Sequence, residues 1–405
     1  MDTMNGSIKY EVCIIGGAGH VGLPLGVVFA DAGVKTVLLD INTEALKKIE
    51  KGQFPFMEKG GEDVLRSALV KKTLFIADSP KAISDSKYVI IVTGTPVDQY
   101  LRPDFKCVTR VIDEYLPYFR DGHIVILRST VYPGTTDVIQ KYFLEKGKRV
   151  KLCFCPERVT QGRAIEEIKQ LPQLISAVDE DTIVEVSTLF WKITSAEIIP
   201  LKPIEAELAK LFTNFWRYAR FAVANQYFMI ASHHGLNYVK IYRAMKKDYP
   251  RNADLPSPGF ASGPCLFKDA MQLASFASNN FAVGHAAMAV NEGFGNYIIS
   301  SLKGEFGPAL KDKTLGILGM AFKAGVDDPR GSLSYKLKEI AQHECRAVLC
   351  TDPYVEDSSL VPVEKLLHGS DIVILTVAHE PYAEINPALY PNKKFIDVWG
   401  FWQTS

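Results

Sequence analysis

Residues 10–24 read Tyr-Glu-Val-Cys-Ile-Ile-Gly-Gly-Ala-Gly-His-Val-Gly-Leu-Pro, a β-branched run that breaks into glycines and resumes as an apolar segment. The order predicts a strand over Tyr10–Ile15, a tight loop, and a helix from Leu23 to Asp31. Gly17, Gly19 and Gly22 fit G-x-G-x-x-G in that context. Gly17 is expected to make the turn, Gly19 to let a pyrophosphate approach the backbone, and Gly22 to let the helix pack on the sheet. A second strand, Lys35 to Leu39, ends in Asp40. A carboxylate there accepts hydrogen bonds from ribose hydroxyls and repels a 2′-phosphate, so the bound dinucleotide is expected to be NAD and not NADP.

Outward from this unit the alternation continues. Tyr88–Thr93 is a strand run ending at Thr95-Pro96, and Ile124–Leu127 another, followed by Arg128-Ser129-Thr130. Leu152–Cys155 is a third, followed by Pro156-Glu157-Arg158. Open α/β sheets bind ligands outside the carboxyl ends of their strands, which is where these polar groups fall. Two blander readings stand beside this one: Ser129-Thr130 as a helix cap, and Glu157-Arg158 as a surface ion pair.

From Pro203 to His234 the period becomes helical, with Lys210, Asn214 and Arg217 spaced to share a face. Leu236–Lys247 and Gln272–Lys303 read as further helix. A fresh α/β pattern begins at Thr314–Gly319, with strands at Arg346–Thr351, Ile372–Val377 and Lys394–Val398. The expected fold is α/β: two Rossmann-like parallel-sheet domains joined by a central all-helical domain with a long connecting helix. The expected boundaries are 1–200, 201–303 and 304–405, with a homodimer formed through the helical piece.

The chain has 405 residues, with 46 Lys plus Arg against 46 Asp plus Glu, so no global field favours nucleic acid or an anionic membrane. An odd number of cysteines, 7, and a polar start without an apolar h-region lead to the expectation of a reducing, cytoplasmic setting. Cys153 and Cys155 alternate in a strand-like run and read as structural; no metal site is expected.

Between the helices, residues 256–269 read Pro-Ser-Pro-Gly-Phe-Ala-Ser-Gly-Pro-Cys-Leu-Phe-Lys-Asp. Prolines and glycines shape a loop that presents Cys265 beside Lys268 and Asp269, a setting in which a cation stabilises a thiolate; taken alone, the stretch reads first as a buried Cys at the start of a helix, with Lys268 and Asp269 on its solvated face.

With this loop in hand, the chain resembles the nucleotide-sugar 6-dehydrogenases, the UDP-glucose / GDP-mannose / UDP-N-acetylhexosamine dehydrogenase group, from Val12 to about Val398. The resemblance rests on Gly-x-Gly-His-Val-Gly-Leu-Pro (17–24), Ser-Thr-Val-Tyr-Pro-Gly-Thr-Thr (129–136), Pro-Glu-Arg-Val (156–159) and Glu-Leu-Ala-Lys-x-x-x-Asn (207–214). It rests also on the Cys265 loop (258–269) and on Gly-Met-Ala-Phe-Lys-x-x-x-Asp-Asp-x-Arg (319–330). It implies an NAD-dependent four-electron oxidation of a sugar C6 alcohol to a carboxylate, by way of a Cys265 thiohemiacetal and thioester. By the same matching Lys210 and Asn214 would stabilise the oxyanion, Asp269 and Thr130 would handle water and protons, and Glu157 would be the general base. His20, Val21, Thr95, Pro96, Thr130, Lys268 and Arg330 would join Gly17, Gly19, Gly22 and Asp40 around the cofactor. Arg158, Val159, Arg217, Phe260, Gly263, Phe322 and Lys323 would line the UDP-sugar with Glu157, Lys210, Asn214 and Cys265.

The branch is mixed. Pro-Glu-Arg-Val-x-x-Gly and Arg217 look like the N-acetylhexosamine members, whereas Cys-Leu-Phe-Lys-Asp looks like the glucose and mannose members. Ser262-Gly263-Pro264 replaces the usual Gly-Gly, and Gln173 stands where an arginine is usual. UDP-glucose is the first expectation and a UDP-N-acetylhexosamine the alternative. A two-electron dehydrogenase of the β-hydroxyacid type is one rival, which needs neither Cys265 nor a third domain; a non-catalytic nucleotide-sugar binder is the other, opposed by Lys210, Asn214, Cys265 and Asp269 occurring together.

Overall fold

The computed structural model describes residues 8–95 and 106–402. Backbone packing divides the chain into two units, one through Phe212 and one from Thr213.

The first unit holds strands β1 (Tyr10–Ile15), β2 (Thr36–Leu39), β3 (Leu74–Ala77), β4 (Ser86–Ile91), β5 (Ile124–Leu127), β6 (Lys151–Phe154), β7 (Gln173–Ala177) and β8 (Ile198–Leu201). Their order is β3-β2-β1-β4-β5-β6-β7-β8. The central strands are Val/Ile/Leu runs because both faces of the sheet are covered by helices. Along β1, Val12 and Ile14 enter one core, and Cys13 and Ile15 the other.

The first six strands are parallel, but β7 pairs with β6 antiparallel, and β8 runs with β7. Gly162 and Ile165 donate their amides to Glu58, which holds this segment against residues 58–59. The helix that follows, Ala164–Gln170, has only 7 residues and advances about 10 Å.

The helix Pro203–His233 has 31 residues, about 46 Å of axis, and starts on a proline whose missing N–H costs nothing there. It stops at Gly235, where Leu236 N–H reaches back to Ala231 C=O at 2.9 Å, a Schellman closure.

In the second unit, helices Tyr238–Lys246, Leu266–Phe276, Ala282–Glu292 and Phe294–Phe306 precede a parallel sheet. That sheet comprises β9 (Thr314–Leu318), β10 (Ala347–Thr351), β11 (Ile372–Leu375) and β12 (Lys394–Asp397), in the order β10-β9-β11-β12. Phe260, Phe294, Ile298, Leu302, Ile317, Leu337 and Ile374 share one core, so helices and sheet are packed together. The expected helix over 272–303 is three pieces: Ser278 and Asn279 turn through positive φ, and Gly293 separates the next two. The fold is otherwise the expected one, a large helical piece between two α/β sheets.

Candidate active site

In the first unit the loop after β1 departs from expectation at one residue. The left-handed turn falls on Gly16, with φ +82°, where a Cβ would lie 1.8 Å from the Val92 carbonyl oxygen. Gly17 is needed for packing instead, its missing Cβ lying 2.8 Å from the Leu38 Cβ. Gly22 lies against Gly16, and the space over Gly19 stays open, with the nearest atom 3.5 Å from where its Cβ would be. This is the cradle a diphosphate requires at the start of the helix Gly22–Asp31, which Val21 precedes as N-cap. Asp40 accepts from Ala18 N and Asn42 N, both at 2.9 Å, leaving lone pairs on each carboxylate oxygen for ribose hydroxyls. His20 stacks on Phe56, with centroids 4.0 Å apart. The residues present therefore fit a dinucleotide. Pro96 lies outside the described residues.

The carboxyl ends of β4 and β5 are laced together. Ser129 Oγ donates to Thr93 C=O at 2.7 Å, and Thr95 Oγ1 to Thr130 C=O at 2.6 Å. Ser129 thus ties strand ends instead of capping a helix. The helix Thr135–Glu145 takes its cap from elsewhere: Glu207 accepts from Gly134 N at 2.6 Å, Thr136 N at 2.8 Å and Thr136 Oγ1 at 2.6 Å. Burial pushes the Glu207 carboxyl above its ordinary range, against these bonds.

Glu157 is no surface ion pair. It is buried, and its partner is not Arg158 but Arg128, which follows β5 and has 0% exposure. Arg128 Nε and Nη2 both donate to Glu157 Oε2, at 3.0 and 2.8 Å. Arg158 N and Val159 N donate to Oε1, at 2.7 and 3.1 Å. The Arg158 side chain turns away to the Pro172 carbonyl. Arg128 is the residue that sequence reasoning passed over; the signal was a full cation directly abutting the apolar run Ile124–Leu127. Lys210 is half-buried on the long helix, one turn before Asn214.

In the second unit Cys265 is exposed and is the N-cap of the helix Leu266–Phe276. That position places the thiol at the positive end of the helix dipole. Beneath it Asp269, with 0% exposure, accepts from Asn214 Nδ2 at 2.5 Å and lies 3.1 Å from Lys268 Nζ. The loop before Cys265 is gripped from two directions. Asn225, buried on the long helix, donates to Gly259 C=O at 3.0 Å and accepts from Gly259 N at 2.7 Å. Its amide is oriented by Asn291, which in turn donates to Tyr218 C=O. From the sheet side, Gly263 N donates to Gly331 C=O at 3.1 Å, and Ser262 Oγ to Phe322 C=O at 3.1 Å. Phe322 lies over Gly263, where a Cβ would meet its ring at 2.6 Å.

Arg330 is bound through two nitrogens to Asp328, at 2.6–3.1 Å. The Asp328 carboxylate first, then the charge of Cys265, raise the guanidinium pKa. Cys265, Asp269, Asn214, Lys268, Gly263, Phe322 and Arg330 are thus brought together, and Lys323 follows Phe322 in the same loop. Phe260 is not among them: its ring packs on Phe294 in the core and leaves only its backbone to the loop. Arg217 is half-buried on the long helix.

Below the 319–330 loop, Asp352 accepts from Met320 N and Ala321 N, at 2.6 and 2.9 Å, and from the fully buried His379 at 3.1 Å. Despite burial, His379 and the amides of Ala321 and Tyr354 bring the Asp352 pKa down to about 2.

Against known families, the chain matches three consecutive profiles of the UDP-glucose/GDP-mannose dehydrogenase family. They are the NAD binding domain over residues 10–194, the central domain over 204–293 and the UDP binding domain over 316–404. A UDP-N-acetyl-D-mannosamine dehydrogenase of Pyrococcus horikoshii is 28% identical over 383 residues, covering 91% of this chain and 90% of that protein. A solved structure of a UDP-N-acetylmannosamine dehydrogenase from Pyrococcus horikoshii, 27% identical, superposes with a TM-score of 0.88 over 95% of this chain and 93% of its own. A UDP-glucose dehydrogenase structure from Pyrobaculum islandicum is 25% identical with a TM-score of 0.86, covering 98% of this chain and 100% of its own. The cradle after β1, the carboxylate ending β2 and the cysteine at a helix N-terminus thus agree with what the comparisons return: the chain belongs to the UDP-glucose/GDP-mannose dehydrogenase family and uses NAD.

Proposed function

We propose that the protein oxidises the C6 hydroxyl of a UDP-N-acetylhexosamine to the carboxylate in two NAD-dependent steps, the first giving an aldehyde and the second acting on its Cys265 adduct. Bound NAD supplies the hydride acceptor. The protein's part begins at Lys210 and Asn214, which donate to the oxygen at C6 as charge develops there. Cys265, as thiolate, bonds to the aldehyde carbon; the thiohemiacetal is held in place for the second oxidation, and a thioester results. Water adds to the thioester carbon while Glu157 takes its proton. The C–S bond then breaks, and its electron pair returns to Sγ. Asp269 and Thr130 orient water, Lys268 and Arg330 face the cofactor, and Phe322 and Lys323 hold the sugar nucleotide.

The observation that carries this reading is the Cys265 constellation: a thiol at a helix N-terminus one turn before the buried Asp269, which contacts Asn214 and Lys268. Similarity to UDP-N-acetyl-D-mannosamine dehydrogenases, with Arg217 and the 156–162 motif, puts the acetamido sugar ahead of the UDP-glucose first expected. UDP-glucose stays as the second reading, supported by the Pyrobaculum structure and by Cys-Leu-Phe-Lys-Asp.

The division 1–200, 201–303 and 304–405 belongs to the same proposal, with the last part binding UDP. So does a homodimer. Trp216, Val223, Tyr227 and Ile230 are exposed on one stripe of the long helix, where a second copy would cover them. Seven cysteines without a disulfide among the described residues suit a reducing, cytoplasmic setting. Among the described residues no helix is long and apolar enough to cross a membrane.

The test is NADH formed per sugar consumed with UDP-N-acetylmannosamine, UDP-N-acetylglucosamine and UDP-glucose, beside a Cys265→Ala control. Two NADH per sugar with one donor, and no uronate from the control, are expected. One NADH per sugar, unchanged in the control, would instead establish a two-electron dehydrogenase.

A further inference from the structure

Arg128 is a guanidinium without solvent contact. Four of its N–H directions are accounted for: two to Glu157 Oε2, one to the Cys155 carbonyl at 3.1 Å and one to Gln173 Oε1 at 3.1 Å. Its flat face lies 5.2 Å from the Phe190 ring. Gln173 is itself fixed, since its Nε2 donates to Leu171 C=O at 3.0 Å and Ile168 C=O at 3.5 Å, so only its oxygen can face Arg128. Every group that could let the guanidinium rotate is committed.

Burying such a pair is no route to stability, because two well-packed neutral side chains of similar volume fold as well or better. What the pair does supply is geometry. Oε2 is gripped from the buried side by two nitrogens of one rigid fork, and Oε1 by the amides of Arg158 and Val159. The carboxylate plane can neither spin nor tilt. We propose that Arg128 is the positioning residue for Glu157 in thioester hydrolysis: it holds Oε2 from the buried side and so presents Oε1, whose 3.1 Å bond from Val159 N–H opens to admit the proton of the attacking water. This rests on the proposed Cys265 thioester reading.

Arg128 acts only through Glu157 in this scheme, so the two positions must not add. Arg128→Met alone would strand a buried carboxylate and Glu157→Gln alone a buried guanidinium, so the set is Glu157→Gln, the neutral double variant Arg128→Met/Glu157→Gln, and Arg128→Lys, each first shown to be folded by its thermal melt. Each is mixed with NAD and the UDP-sugar that the wild type turns over. NADH is followed by stopped flow, and the Cys265 adduct is measured by intact mass after acid quench.

Glu157→Gln is expected to give a burst of two NADH per site and then hydrolyse the adduct about 100-fold more slowly than wild type. The double variant is expected to match it within about twofold, and Arg128→Lys, lacking the fork, to fall between it and wild type. A double variant a further 10-fold slower, or an Arg128→Lys as fast as wild type, overturns the positioning role. A wild type that yields one NADH per sugar, with no Cys265 adduct in Glu157→Gln, overturns the thioester reading itself and this inference with it.

Discussion

His123 precedes β5 with 3% exposure and accepts from Arg120 N–H at 3.1 Å through Nδ1. Burial, followed by the charges of Arg120 and Lys148, takes its pKa from 6.5 down to about 4. A histidine depressed in the folded state contributes fully above pH 6.5 and loses that contribution as pH falls toward about 4, a swing of roughly 3 kcal/mol. His123→Gln should remove this segment of the stability profile: thermal melts near pH 7.5 and 4.5 should differ less in the variant than in wild type. Equal pH sensitivity in the two proteins would refute the assignment. Residues whose character lies in their own chemistry and chain neighbours were readable without a structure. Cys265, set among prolines and glycines before Lys268 and Asp269, is one, and Asp40 at a strand end is another. Arg128 was not, because its partners Glu157 and Gln173 are remote in sequence, and nothing local says that the cation is buried.

At the scale of elements, strands over apolar runs stood out, and β1 and β5 have the expected bounds. The β3 strand, Leu-Phe-Ile-Ala, and the β8 strand, Ile-Ile-Pro-Leu, were too short or too proline-broken to rise above their surroundings. The reversal of β7 was invisible because direction is set by where the connection lies, and apolar patterning is the same both ways. Two junctions between elements carry predictions. Glu207 links the long helix to the first turn of Thr135–Glu145 by three hydrogen bonds, so Glu207→Ala should lower unfolding free energy by roughly 2–3 kcal/mol in denaturant titration. Glu207→Gln, which keeps an acceptor, should lose less. Gly331 has φ +65°, and a Cβ there would come within 2.9 Å of the Gly263 carbonyl carbon and oxygen. Gly331→Ala should push the Gly263–Pro264 backbone away and misplace Cys265, cutting kcat at least about 10-fold, and the strain at positive φ should lower the denaturation midpoint as well. Unchanged kcat would show that the loop tolerates the shift.

For the whole molecule, the proposed dimer makes the most direct claim. The stripe Trp216, Val223, Tyr227 and Ile230 is 42–58% exposed on a helix that otherwise packs, a concentration of apolar surface that soluble monomers avoid. Val223→Asp with Ile230→Asp should convert a dimer to a monomer in light scattering, with a folded circular dichroism spectrum. A wild type that is already monomeric at micromolar concentration would remove the proposal. Overall architecture was legible because its largest signals are long: two alternating α/β regions and a helical stretch between them. What patterning could not give was that the helix Phe294–Phe306 and the last sheet share one core, since which apolar faces meet is decided by three-dimensional packing.

The Asn225 grip on Gly259 has the geometry of one rung of a β-ladder, with a side-chain amide in place of a neighbouring strand. A backbone N–H held that way is shielded from isotope exchange until the rung opens. Gly259 is therefore a built-in clock for the loop that carries Cys265: its deuterium uptake reports how often the loop lets go of the long helix, in the resting protein and at each stage of turnover.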